Sequence, residues 1–168
     1  MKKYLLGLVA FLSFTLVSFI PQSTSEVPSV TIKGLSGENV DFSSVVKKGR
    51  VTVVSFWATW CVPCKKEINA MSELIPEWQK TMDFDMVAVS IDDTRNMAKV
   101  KSYVNGQKWE FPAYIDPNQD LKRALNFQSI PFAIIFDKDG KIAYTHSGYV
   151  EGDEFVLRDH IKEIVSAK

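Results

Sequence analysis

Residues 53 to 67, VVSFWATWCVPCKKE, constrain the fold more than any other stretch. A run of apolar, β-prone residues ends at a tryptophan, and two cysteines follow with two residues between them. Cys61 and Cys64 are the only cysteines in the chain. Three chemistries are open at this point: a structural bridge, half of a metal site, or a working dithiol.

At 168 residues and 46% hydrophobic content, the chain suits one domain with an ordinary core. Its formal net charge is zero, and without Lys2 and Lys3 it would carry 18 basic against 20 acidic residues. No basic field exists to gather nucleic acid or to hold the domain on an anionic membrane.

The N-terminus sets the compartment. Lys2 and Lys3 precede an unbroken apolar run over residues 4–20, and PQSTSE follows. That is the layout of an export signal. The run is long for a cleaved signal core and slightly short of the roughly 20 residues of a comfortable span. Ser23 and Ser25 offer a small-residue cleavage site, and no cysteine follows to carry a lipid. Residues 1–25 therefore read as a signal peptide or an N-terminal membrane anchor, and 26–168 as the folded domain. The expected location is extracytoplasmic, in the bacterial periplasm or on the outer face of the cytoplasmic membrane.

Export admits a structural disulfide. A bridge over two intervening residues closes a very small loop, however, and stabilisation by cross-linking grows with loop length. As a staple this pair would gain little.

Downstream of the leader, SVTIKGL and NVDFSSV flank SGE and predict a short hairpin with Gly37 in its turn. VTVVSFWA (51–58) is a nearly continuous apolar strand, of the kind covered on both faces. From Cys64, apolar residues recur at Ile68, Met71, Leu74, Ile75 and Trp78, a helical period. Pro76 is expected to kink or end that helix near Ile75. FDMVAVSI (84–91) predicts a second buried strand. The next helix takes Thr94 as N-cap, Met97, Val100 and Val104 as its apolar face, and Gly106 as its stop. A short extended piece (FPAYID), a short helix carrying Leu121 and Leu125, and a hairpin turning at DKDG follow. A closing helix places Phe155, Leu157, Ile161, Ile164 and Val165 at helical spacing. This order predicts an α/β fold: a central mixed β-sheet flanked by helices, with an N-terminal β-hairpin extension. The two strands joined through the helix at 64–80 should be parallel.

On that plan Cys61 falls where strand passes into helix, in the first turn, where free backbone N–H groups and the helix dipole favour an anion. A thiolate is such an anion, and cysteines at helix starts have lowered pKa values. Cys64 sits one turn on, facing the same side and more deeply buried. One nucleophile and one resolving partner result. Pro63 fixes the opening of the helix. Trp60 is expected as a partly exposed lid on the dithiol, and Lys65 and Lys66 as a solvated helix face.

FWATWCVPCKKE resembles the active-site signature of thioredoxin-like proteins. The hairpin ahead of it, the exported N-terminus and the long segment before the late proline are similar to the TlpA/ResA-like branch of thiol-disulfide oxidoreductases. The similarity runs over about residues 28–168. A Trp-Cys-x-Pro-Cys at a strand-to-helix junction is specific; a lone Cys-x-x-Cys is not.

The resemblance implies that Pro131, in SIPFAIIF, is in the cis form and keeps metals and stray groups off the sulfurs. It implies that the Ile130 backbone pairs with the bound substrate chain. Trp60, Pro63, Ile130 and Pro131 are thus the expected substrate-positioning residues, and Cys61 and Cys64 the catalytic ones. No cofactor beyond the Cys61–Cys64 dithiol and no metal is expected. The implied partners are exported proteins with disulfides, such as apocytochrome c, and a membrane-side electron donor.

Two departures stand out. Thioredoxin carries a buried aspartate six positions before the first cysteine, and this chain has Ser55 there. In the ResA-like branch an acid after the second strand takes that part, which points to Asp92 and Asp93, with Asp93 closer by register. The same pair also suits a helix cap. The helix proline common five positions after the second cysteine is Asn69 here.

Rival readings use the same residues. A copper-delivery protein would recruit His146, and His160 reads as solvated; two cysteines supply half of the four ligands a closed zinc site takes. A thiol peroxidase of the same fold would use Thr59 beside Cys61. A non-catalytic binding domain would keep the bridge closed.

Overall fold

The expected strand at 51–58 forms β3 (Val51–Trp57), and every one of its residues is buried. The computed structural model describes residues 26–167, so the proposed leader lies outside the described residues. Before β3 come β1 (Thr31–Gly34) and β2 (Asn39–Asp41). After it come α1 (Val62–Trp78), β4 (Phe84–Ser90), α2 (Met97–Gln107) and β5 (Ala113–Ile115). The chain ends with α3 (Asp120–Ala124), β6 (Phe132–Phe136), β7 (Ile142–Ser147) and α4 (Asp153–Ser166).

The seven strands form one mixed sheet in the order β2-β1-β5-β4-β3-β6-β7. β3 runs parallel to β4 and antiparallel to β6. A strand between two partners and covered on both faces has no polar side to present, which is why its sequence reads as a continuous apolar run. The early hairpin turns at Gly37, whose φ of 92° suits glycine. Its first strand pairs antiparallel with β5, so the hairpin extends the sheet. Among the described residues, no helix is long and apolar enough to cross a membrane.

Several boundaries differ from expectation. Pro76 lies inside α1, which continues to Trp78. Proline removes the N–H that would bond the Ser72 carbonyl, but Ile75 and Trp78 are 3% and 7% exposed, and their burial holds the last turn. Asp93, and not Thr94, is the cap ahead of α2: its carboxylate accepts from Arg95 N and opens a short 3-10 turn at Thr94–Asn96. Gly106 does not stop α2; Lys108, at φ 55°, takes the left-handed position after the helix. On α4 the inward face is Glu154, Leu157 and Ile161, and Phe155 is 44% exposed.

Candidate active site

The turn Ala58–Thr59–Trp60 carries the chain from the end of β3 to α1, and Cys61 N donates back to Ala58 O at 3.0 Å. Cys61 is the N-cap of α1 and stands just outside its first turn. Its Sγ accepts from Cys64 N at 3.3 Å, the role a serine or aspartate oxygen fills at an ordinary cap. The sulfur thus faces the unpaired N–H groups and the positive end of the helix dipole, the setting that stabilises a thiolate. Pro63 sits in the first turn, where no N–H donor is lost.

Cys61 and Cys64 are joined by a disulfide, with Cα atoms 5.3 Å apart. Cys64 is fully buried and Cys61 is 5% exposed, while Trp60 and Val62 flank them at 62% and 59% exposure. Lys66 is exposed as expected; Lys65 instead lays its ammonium 5.7 Å from the centre of the Tyr103 ring.

Ile130–Pro131 is a cis peptide. Pro131 immediately precedes β6, whose Phe132 pairs with Phe56, so the proline is level with the end of β3 where the turn to Cys61 begins. Its carbonyl accepts from Gly148 N at 2.9 Å, which ties the loop to the end of β7.

The two acids after β4 have separate positions. Asp93 is at the surface, paired with Arg95, and its hydrogen bonds hold its carboxyl below the usual range. It caps the 3-10 turn at Thr94–Asn96, the helix-cap reading that the sequence also allowed for this pair. Asp92 is 1% exposed. It accepts from Thr59 N, Thr59 Oγ1 and Ser90 Oγ, each at 2.7 Å. Asp92 therefore anchors the turn two residues before Cys61. The Thr59 hydroxyl is engaged there.

One acid escaped the sequence reading. Glu67, on α1, is 2% exposed. Three residues beyond Cys64, it lies on the same helix face, about 5–6 Å away between Cβ atoms. Burial pushes its carboxyl up from 4.5 to about 8; the Ser55 hydroxyl opposes that shift, and the Asp153 and Glu154 charges add to it. Ser55 Oγ and Glu67 Oε2 nevertheless lack a partner of proper hydrogen-bond geometry among the described residues. Ser55 stands where thioredoxin carries its strand aspartate, and a buried carboxyl from the helix faces it. The signal was present in the spacing Cys64–Glu67–Ile68–Met71, a single buried stripe with one acid in it.

Asn69, in the place of the family's proline, bridges Tyr103 and Trp109: its Nδ2 donates to Tyr103 Oη and its Oδ1 accepts from Trp109 Nε1, both at 3.1 Å. These rings pack against Trp57, Tyr103 tilted and Trp109 edge-on, and Asn69 with Tyr103 ties α1 to α2. His146, the candidate copper ligand, stands on β7 with Nε2 3.4 Å from Asp153 Oδ2.

The Redoxin family's sequence profile matches residues 22–160. The chain belongs to the Redoxin family. ResA, a thiol-disulfide oxidoreductase of Bacillus thuringiensis strain Al Hakam, is 32% identical over 143 residues, 85% of this chain and 79% of that protein. Among solved structures, a thioredoxin-like protein of Porphyromonas gingivalis is 38% identical with a TM-score of 0.74, over 84% of this chain and 92% of the other. The exposed lipoprotein thioredoxin of Streptococcus pneumoniae is 25% identical with a TM-score of 0.63, over 81% and 99%. The fold is thioredoxin-like, and this Redoxin-family chain is a thiol-disulfide oxidoreductase of the ResA type, with Cys61 and Cys64 as its redox pair.

Proposed function

We propose that the protein works outside the cytoplasm as a reductant of protein disulfides. Cys61 as thiolate attacks a substrate disulfide and a mixed disulfide forms, releasing one substrate thiolate. Cys64 then attacks Cys61 Sγ, releases the second thiolate and closes the Cys61–Cys64 bond. Two electrons have passed to the substrate. A membrane-side dithiol donor returns them.

The observation that carries this reading is the N-cap position of Cys61, its sulfur facing the Cys64 N–H. Cys64 releases its proton as it attacks, and the buried Glu67 carboxyl one turn away is the group suited to exchange it. Trp60, Pro63, Ile130 and Pro131 form the surface on which an extended substrate chain lies. The apolar run at residues 4–20 and the likeness to an exposed lipoprotein thioredoxin support an extracytoplasmic setting. Exported thiol proteins such as apocytochrome c are the proposed substrate class. The peroxidase alternative is disfavoured by Thr59, whose hydroxyl bonds Asp92.

Trapping with Cys64→Ser in the native compartment tests this. Specific exported proteins held on Cys61 are expected; a variant that captures none under oxidising growth contradicts it.

A further inference from the structure

Cross-strand pairing places three residues in one row. Ser55 of β3 is opposite Ala133 of β6, and Ala133 is opposite His146 of β7. Directly opposed residues point to the same face of a sheet, so all three side chains are on one side. Strands are spaced about 4.8 Å apart, which puts Ser55 and His146 roughly 10 Å from each other. The residue between them, Ala133, is fully buried and carries no polar side chain.

Two helices roof this row. Glu67 descends from α1 toward Ser55, and Asp153, in the first turn of α4, meets His146. The elements bring Glu67, Asp153, Glu154, Tyr149 and His146 together on one face. Glu154 Oε2 is occupied, accepting from Tyr149 Oη at 3.1 Å and Gly152 N at 3.0 Å. Asp153 Oδ2 accepts from Val150 N at 2.8 Å.

Three buried polar atoms in this layer reach no partner at full hydrogen-bond geometry among the described residues: Ser55 Oγ and Glu67 Oε2, which face each other, and His146 Nε2, 3.4 Å from Asp153 Oδ2. Buried polar atoms are rarely left unpaired, and a group of them in a polar layer is where ordered water bridges. The three follow a gradient of access. Ser55 is fully buried and Glu67 is 2% exposed, whereas the His146 and Asp153 side chains are 21% and 23% exposed. The row therefore runs from the acid beside Cys64 to the partly exposed His146.

We propose that His146, held against Asp153, is the outlet of a water-bridged proton path from Glu67, and so a positioning residue for the exchange reaction. The proposal rests on the oxidoreductase mechanism given above and adds a route for its proton. When an electron donor's thiolate attacks Cys61 Sγ, the disulfide breaks and Cys64 leaves with the electron pair. Cys64 takes a proton from the Glu67 carboxyl. The Glu67 carboxylate regains one from solvent through bridging water and the imidazole, which Asp153 holds in place. In substrate reduction the proton moves outward along the same path. Imidazole is the side chain suited to such passage because one ring nitrogen can take up a proton while the other releases one.

The test is the rate at which dithiothreitol reduces the oxidised protein, followed by tryptophan fluorescence in stopped flow across about pH 5.5 to 8.5. His146→Ala is expected to slow reduction about tenfold near neutral pH. Imidazole added to the buffer should restore the rate, and the substitution should have no further effect in a Glu67→Gln background. His146→Gln, which keeps the side-chain bulk, carries the same expected slowing if the alanine variant does not fold. Rate profiles that superimpose on the wild type overturn the path, as does a slowing that persists in the Glu67→Gln background or ignores imidazole. A wild-type protein that dithiothreitol cannot reduce reversibly would instead remove the exchange mechanism itself.

Discussion

Glu67 and Ser55 face each other, the acid on α1 three residues beyond Cys64 and the hydroxyl on β3, both shut off from solvent. Thioredoxin's buried carboxyl comes from the strand; here the strand offers a hydroxyl and the helix supplies the acid. The transposition keeps a titratable group next to the buried cysteine while changing the element that holds it.

The raised pKa of Glu67 makes the oxidised protein sensitive to alkali. Between pH 4.5 and about 8 the folded protein keeps a proton at Glu67 that the unfolded chain has released. Stability therefore falls as pH rises through that window and levels off above it, by on the order of 3–5 kcal/mol. Glu67→Gln should remove most of this slope and leave the variant more stable than the wild type above about pH 8. Urea denaturation of both oxidised proteins between pH 5 and 9 measures it; parallel slopes would contradict the assignment.

Asp92 predicts a different loss. Asp92→Ala strips the Thr59 N–H, the Thr59 hydroxyl and the Ser90 hydroxyl of their common acceptor. Bonds to a charged acceptor are each worth about 1.5–3 kcal/mol, and buried donors left unpaired carry a further cost. A drop of roughly 3–5 kcal/mol in denaturant unfolding is expected. Asp93→Ala, which loses a surface cap and an exposed, solvent-screened ion pair, should cost far less. Equal losses would show that the buried acid does not hold the dithiol turn.

The end of α2 offers a gain. Lys108 occupies a left-handed backbone conformation with φ 55°. Lys108→Gly should relieve that strain and stabilise the fold by up to about 1 kcal/mol, read as a shift in thermal midpoint. A loss of stability would mean that the lysine side chain outweighs its backbone strain.

Much of this was legible in the residues themselves. VTVVSFWA could only be a strand covered on both faces, and the Cys-x-x-Cys after it marked the strand-to-helix junction. The misses share a cause: local rules were overruled by packing. Pro76 was expected to kink or end α1; it does not end it, because Ile75 and Trp78 are anchored in the core and carry the helix past it. Gly106 looked like a stop, yet a lysine two residues later takes the left-handed turn. Asp92 and Asp93 are adjacent in sequence, and which of them turns inward depends on the Thr59 donors 33 positions earlier in the chain. Glu67 was passed over because an acid between lysines and a hydrophobic stripe reads as surface; its helical spacing from Cys64 was the available clue.

The most direct measurement is the acidity of the Cys61 thiol in the reduced protein, followed through the pH dependence of its alkylation with Cys64 replaced by serine. A sulfur held at the amino end of α1 should ionise clearly below the ordinary value of about 8.5. A midpoint at that ordinary value, together with a Cys61–Cys64 bond that does not form and break reversibly against glutathione in the intact protein, would contradict the account.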